Sequence, residues 1–299
     1  MARTSTRHIT LGQIISDTIG DYLMLIKMRL TSLVVFTALS AYLIASGLTF
    51  SGLDLLLLAI GGFGVAGASN ALNQALEKDY DILMKRTQNR PVASGRMTMS
   101  QAVMFAGLLC MLGITALALF NVLTAFLGML AFVTYAFIYT PLKRYSSAAV
   151  FVGAIAGAMP LLIGVVAWTG TITWLALALF AIQFAWQYPH FWAIGFLGND
   201  DYNKAGFKFV PQGEDGPNRG IGVSSVGYSL ALVAISAVMI LAGMVGWIAG
   251  GIMLLLGFTY TWYAVKFYKI FELGAAKALM FSSLLYIPLV MLVLIIDQI

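Results

Sequence analysis

The sequence predicts an all-α integral membrane protein, a bundle of nine transmembrane helices around a central cavity. Three observations carry this. Apolar residues make up 61% of the chain and charged ones 10%, against about 25% charged in an ordinary soluble domain, and the mean hydropathy is +0.91. Apolar runs of spanning length recur along the whole chain. Every Lys and Arg falls on alternate links between those runs. A soluble core stops growing near about 250–300 residues, so 299 residues of this composition turn their surplus apolar surface to lipid. A soluble enzyme, a disordered chain and a coiled coil are excluded. Cys110 is the only cysteine, which excludes a disulfide scaffold, and it reads as a small buried side chain. His8 and His190 are too few for a histidine metal cage. The net charge of +5 would suggest nucleic acid only if the bases clustered on a soluble face, and they do not.

A spanning helix needs about 20 mostly apolar residues. That criterion gives segments near 30–47, 53–74, 100–118, 121–139, 147–168, 172–195, 222–243, 246–265 and 276–296. The links are short except for two long polar ones, near 77–99 and 197–220. Arg3, Arg7, Lys27 and Arg29 precede or open the first span. Lys78, Lys85, Arg86, Arg90 and Arg96 follow the second, and Lys143 and Arg144 the fourth. Lys204, Lys208 and Arg219 follow the sixth, and Lys266, Lys269 and Lys277 surround the link after the eighth. Because Lys and Arg concentrate in cytoplasmic loops, the N-terminus is expected inside and Asp297-Gln298-Ile299 outside. Residues 1–20 lack the apolar stretch of a cleavable signal. A multi-pass protein of a bacterial inner membrane is expected, with residues 1–299 as one membrane domain. Spans one to four and five to eight read as related halves, because in each half the second span ends in an acidic and then basic cytoplasmic stretch.

The first such stretch runs Asn70-Ala-Leu-Asn73-Gln-Ala-Leu-Glu77-Lys78-Asp79-Tyr80-Asp81 and continues the second span without a breaker. On an unbroken helix Asn73, Glu77 and Asp81 share an arc of about 80° over about 12 Å. Two carboxylates held so close repel unless a cation neutralises them. Mg²⁺ suits such oxygen ligands, typically taking one or two carboxylates plus substrate phosphates. Lys85, Arg86, Arg90 and Arg96 follow within twelve residues. They suit a polyanion carrying metal, although taken alone they also read as ordinary cytoplasmic decoration.

The second stretch pairs Trp186-Gln-Tyr-Pro-His190-Phe-Trp192 with Asn199-Asp200-Asp201-Tyr-Asn-Lys204-Ala-Gly206. Two facing acidic mouths could hold a diphosphate through Mg²⁺ while the bundle holds a greasy tail. An allylic diphosphate ionises when metal and bases stabilise the leaving group, and a lipid-embedded cavity keeps its cation from water. Tyr139, Tyr188, Trp186 and Trp192 are candidate cation-facing rings, against ordinary packing or a role in the interface belt. His190 reads either as a heme ligand or as a hydrogen-bonded helix histidine beside a proline kink. Gly62-Phe-Gly64-Val-Ala-Gly67 matches a dinucleotide fingerprint but lies inside a span, so it reads as close helix packing, as does Gly153-Ala-Ile-Ala-Gly157. Pro160, Pro189 and Pro288 are expected to kink their spans and free carbonyls toward a cavity.

At these residues the chain resembles the UbiA-type intramembrane prenyltransferases, whose first motif is usually N-x-x-x-D-x-x-x-D. Met84-Lys-Arg-Thr87-x-x-Arg90-Pro91, Tyr139-Thr-Pro-Leu-Lys143-Arg144, the Trp186–Trp192 block and Asp201-Tyr-x-x-Ala-Gly206 resemble its heme-modifying branch. The resemblance covers roughly residues 20–290. It implies a nine-helix fold with a cavity open to lipid. It implies transfer of the farnesyl group of farnesyl diphosphate to a vinyl group of heme B, with water added to that vinyl, giving heme O and diphosphate. Mg²⁺ is the implied cofactor, and heme A synthase or terminal-oxidase assembly proteins are the implied partners. Asn73, Glu77 and Asp81 would hold Mg²⁺-diphosphate, with Asp200 and Asp201 matching the second acidic region. Lys85, Arg86 and Arg90 would contact the diphosphate or a heme propionate, and Lys143, Arg144, His190, Lys204, Tyr139 and Trp186 the substrates. Glu77 stands where Asp is usual, and Lys204 follows Asp200 by four where a second carboxylate is usual. The rival readings are a sister prenyltransferase acting on a quinone precursor and a membrane transporter. The transporter predicts ionisable groups at mid-bilayer rather than at the cytoplasmic ends.

Overall fold

The computed structural model describes residues 11–214 and 216–299; Arg3, Arg7 and His8 of the sequence reading lie outside them. Helices α1 (Leu11–Leu25), α2 (Met28–Ala45), α3 (Gly52–Leu76), α4 (Lys78–Asp81) and α5 (Met99–Ala118) come first. Next, α6 (Val122–Val133) passes through a π-helical segment (Thr134–Tyr139) into α7 (Thr140–Leu142). Then follow α8 (Ala149–Thr169), α9 (Trp174–Leu197), α10 (Asn199–Lys204), α11 (Gly220–Leu241), α12 (Trp247–Ile270) and α13 (Leu273–Ile296). A two-residue hairpin, β1 (Gln212–Gly213) with β2 (Gly216–Pro217), sits in the link before α11.

The caps explain where several helices start. Ser51 accepts from the Leu53 N–H, Asn121 from Thr124 and Thr173 from Ala176. Thr98 and Gln101 form a reciprocal capping box. Each such cap contributes about 1 kcal/mol. The Gly62–Gly67 stretch does what close packing requires. A Cβ on Gly64 would lie 2.5 Å from the Gly113 Cα, so α3 and α5 touch backbone to backbone. Gly153 and Gly157 instead make room for side chains: a Cβ there would fall on the Tyr139 ring and the Gln187 amide.

Among the described residues, eight helices are long and apolar enough to cross a membrane by length and composition, α6 to α7 counting as one. Eight of the expected spans coincide with them to within a few residues. The sequence reading expected nine. The remaining helix, α9, has 24 residues, as many as α12 and α13. Gln183, Gln187, Tyr188, Pro189 and His190 dilute its apolar content. It packs among α8, α11 and α13, so these polar groups are not spread over a lipid face. α8 is the most enclosed span, while large apolar side chains such as Met111, Val122, Leu241 and Ile248 point outward.

Two expectations are corrected in detail. The second span does not run unbroken to Asp81: Glu77 ends α3 and opens α4 with φ −101° and ψ 8°. The i→i+4 bonds from the Glu77 N–H to the Asn73 carbonyl (3.0 Å) and from the Asp81 N–H to the Glu77 carbonyl (2.8 Å) survive the bend. The three residues therefore keep their helical spacing of i, i+4 and i+8 through the bend. The first fifty residues also hold an extra helix, α1, before the first span. The π-helical segment has a local cause. Pro141 cannot donate to the Phe137 carbonyl, and the Thr140 hydroxyl donates to the Tyr135 carbonyl (2.9 Å).

Candidate active site

Four segments meet at the end of the bundle where α3 stops. Asn73, Glu77 and Asp81 are all buried there, although two are carboxylic acids. Asn73 donates from Nδ2 to Thr140 Oγ1 (3.1 Å) and accepts at Oδ1 from Lys27 Nζ (3.1 Å). Lys143 Nζ lies 2.5 Å from Glu77 Oε1, an ion pair without directed hydrogen-bond geometry, since that oxygen has no hydrogen-bond partner among the described residues. Arg90 Nη1 donates to both Asp81 oxygens at 2.8 and 2.7 Å. Lys143 also stands 4.9 Å from the centre of the Tyr139 ring. Burial pushes the Asp81 carboxyl above its usual range, with the Arg90 guanidinium pulling the other way. Burial, then the charges of Arg90 and Lys143, push the Lys27 amine well below its usual range, while Glu77 and Asp81 pull it back. Lys27 holds a left-handed backbone (φ 50°) between α1 and α2, which brings its amine under the end of α3.

The other bases divide. Arg144 Nη2 donates to the Leu76 carbonyl (2.5 Å) and its guanidinium lies 4.1 Å from the Tyr80 ring, so it ties off the broken end of α3. Arg86 donates to the Tyr202 hydroxyl (3.2 Å), joining the two long links. Tyr80 against Phe207 (5.4 Å) fastens the same two links, and the Lys208 N–H on the Lys143 carbonyl (3.0 Å) ties the second of them to the turn after α7. Lys85, Asp200 and Lys204 are exposed and Asp201 is half-buried.

Behind the mouth lies a cavity of about 280 Å³. Its walls are apolar, from Leu30 and Leu33 on α2 to Leu58 on α3 and Leu117 on α5. Tyr139, Asn70, Trp186, Gln187 and His190 supply the polar edges. Ser283 on α13 anchors two of these. Its carbonyl accepts from Trp186 Nε1 (2.8 Å), and its Oγ lies 2.7 Å from His190 Nδ1. The indole and imidazole rings stack at 4.8 Å. Gln183, deeper on α9, keeps a buried amide oxygen without a partner among the described residues, a desolvation cost of about 1–3 kcal/mol.

Among the described residues no three His, Cys, Asp or Glu side chains come together as a metal-sized group, so the α10 carboxylates do not join Glu77 and Asp81 in one. The mouth offers two carboxylates and an amide, oxygen donors only. That set fits a hard divalent cation completing its shell with phosphate and water. Sequence reasoning missed Lys27, Thr140, Gln183 and Ser283. Lys27 enters the sequence analysis only as one of the bases that set the orientation, because nothing in its neighbourhood in sequence separates it from Arg29.

Residues 34–285 match the UbiA prenyltransferase family. The protoheme IX farnesyltransferase of Cytophaga hutchinsonii is 39% identical over 279 residues, covering 93% of this chain and 97% of its own. In fold, the chain resembles a solved digeranylgeranylglyceryl phosphate synthase (TM-score 0.79, 17% identity, 94% of this chain and 99% of that one). It also resembles a UbiA homolog from Archaeoglobus fulgidus bound to GPP and Mg²⁺ (TM-score 0.66, 16% identity, 92% and 99%).

Proposed function

The chain belongs to the UbiA prenyltransferase family, and from that premise we propose how it works. It is an enzyme that transfers the farnesyl group of farnesyl diphosphate to a vinyl group of heme B, with water added to the same vinyl, giving heme O and diphosphate. The observation that carries the reading is the joining of two environments. Buried Asn73, Glu77 and Asp81, with half-buried Lys27, Lys143 and Arg90, form a mouth beside an apolar cavity edged by Tyr139, Trp186 and His190, and Tyr139 belongs to both, lining the cavity and standing 4.9 Å from Lys143. The full-length similarity to protoheme IX farnesyltransferases points the same way.

The mouth takes the diphosphate. Asn73, Glu77 and Asp81 would hold Mg²⁺, as the A. fulgidus homolog binds GPP with Mg²⁺. The chemistry the ion supplies when bound is neutralisation of the leaving diphosphate. Lys143 and Arg90 now neutralise Glu77 and Asp81. On substrate binding they turn part of that charge to the phosphate oxygens, with Lys27 beneath and Lys85 and Arg86 at the rim. Asp200, Asp201 and Lys204 on α10 close the opposite side of the mouth, and Arg144 keeps the end of α3 in register with them. The farnesyl chain enters the cavity, where Tyr139 and Trp186 face the allylic cation and the apolar walls exclude bulk water. The heme macrocycle lies against the stacked Trp186 and His190.

The protein is read as nine spans in a bacterial inner membrane, with its N-terminus and mouth on the cytoplasmic side and its C-terminus outside. The 15 described Lys and Arg residues support this, since all lie at or beyond one end of the bundle. Incubating purified protein in detergent with radiolabelled farnesyl diphosphate, heme B and 4-hydroxybenzoate tests the reaction. Label is expected in heme. Label in the aromatic acid alone would overturn the heme assignment, and turnover without any gradient sets aside an obligatory transport role.

A further inference from the structure

One face of α9 carries a polar line that the diphosphate mouth does not use. Gln183, Gln187 and His190 recur at i, i+4 and i+7, share a helix face and line the cavity. Gln183 is 8% exposed and Gln187 4%. The Gln187 amide nitrogen is committed, donating to the carbonyls of Ala154 and Gln183 at 3.1 Å each. The Gln183 amide oxygen is buried and, among the described residues, has no partner. The same walls offer further acceptors. Pro160 and Pro288 have no N–H, so the carbonyls of Ala156 and Leu284 lose their helical donors, and both residues line the cavity.

His190 completes the set. The Ser283 hydroxyl has one hydrogen, and it donates to the Met280 carbonyl at 2.5 Å. Its 2.7 Å contact with His190 Nδ1 is then the imidazole N–H donating to Ser283 Oγ. This assignment places the proton on Nδ1 and makes Nε2 the nitrogen that carries the lone pair. Walls that present acceptors call for a small ligand that donates twice, and water is that ligand.

We propose that this wall binds a short row of waters that supplies the one consumed in the reaction, with Gln183 as the positioning residue at its deep end and His190 Nε2, about 10 Å along the helix, as the base. The inference rests on the heme-prenylating reading. Farnesyl C1 bonds to the terminal vinyl carbon as its bond to the diphosphate oxygen breaks, and the positive charge passes to the inner vinyl carbon beside the ring. The water oxygen bonds to that carbon, one of its protons goes to Nε2, and a hydroxyl remains. When the water is missing, the cation sheds a proton from the neighbouring carbon instead and leaves an alkene lighter by one water.

The test uses the full chain in lipid nanodiscs with farnesyl diphosphate, heme B and oxygen-labelled water, with the hemes resolved by mass. The wild-type product is expected to carry one solvent oxygen. Gln183→Leu and Gln183→Met are expected to raise the ratio of dehydrated to hydroxylated product about tenfold or more, with Gln183→Asn restoring part of it. Ser283→Ala, which frees the imidazole tautomer, is expected to move the same ratio in the same direction. His190→Ala is expected to bind heme B with an unchanged visible spectrum. A shifted spectrum would assign Nε2 to the iron and overturn the base. An unchanged product ratio in both apolar Gln183 variants, or an equal loss of both products, would overturn the water site. Failure of the wild-type protein to make any prenylated heme would instead defeat the reading on which the inference rests.

Discussion

Lys27 bears two unfavourable conditions at once. Its backbone is left-handed (φ 50°) and its amine is buried beneath Asn73. A residue with a Cβ in that region costs about 1–2 kcal/mol, and strain of this kind persists where the surroundings demand it. Lys27→Gly is therefore expected to hold or raise the melting temperature in detergent by a few degrees while lowering turnover about tenfold or more. Full turnover would remove the amine from the mouth. Asp81 tests the opposite face of the site. Asp81→Asn keeps the shape but leaves Arg90 facing a neutral amide where two charge-assisted bonds stood. Turnover is expected to fall about a hundredfold or more, with unchanged membrane insertion and gel-filtration profile. Full activity in that variant would mean that this carboxylate holds no metal.

At the scale of elements, the close approach of α3 and α5 depends on glycine rather than on sequence hydrophobicity. Gly64→Ala places a methyl 2.5 to 2.7 Å from the Gly113 backbone, where no flexible side chain can yield. A loss of about 1–3 kcal/mol is expected, read as a lower melting temperature, while Gly107→Ala, inside α5 with nothing within 4 Å, is expected to hold or raise it. The spans were legible because length and apolar composition decide them, whereas the caps at Ser51, Thr98, Asn121 and Thr173, which set where those helices start, emerge only from the structure. The bend at Glu77 was not legible, because neither Gly nor Pro punctuates Leu76–Lys78; Arg144 and Lys143, in the turn after α7, engage Leu76 and Glu77 there. The helical spacing of Asn73, Glu77 and Asp81 was readable, since the i→i+4 backbone bonds outlast the bend. Gln183 and Ser283 were not readable, since an amide or hydroxyl inside an apolar span carries no local sign of whether its partner is a neighbouring helix or a cavity.

For the whole molecule the decisive element is α9. Eight helices pass on composition alone, and an even number of spans would bring both termini to one face. α9 is as long as its neighbours and is excluded only by the polar side chains it turns inward, Gln183, Gln187 and His190. A helix enclosed by α8, α11 and α13 can carry such groups across a bilayer, because the cavity rather than lipid receives them. Counting α9 gives an odd number, which puts every described Lys and Arg at one face and leaves the opposite turns with Asp54, bonded to Tyr42, and Asp297, which accepts from the Gly246 N–H. This sidedness satisfies the preference for basic residues in the cytoplasm without exception. Alkaline phosphatase fused after Ile299 is therefore expected to be active in a bacterial host, and the same enzyme fused in the Asn199–Arg219 link inactive. Activity at the link with none at the C-terminus would invert the protein and move the mouth away from cytoplasmic diphosphates. Inactivity at both sites would remove one crossing and, with it, the lipid-enclosed wall on which the cavity depends.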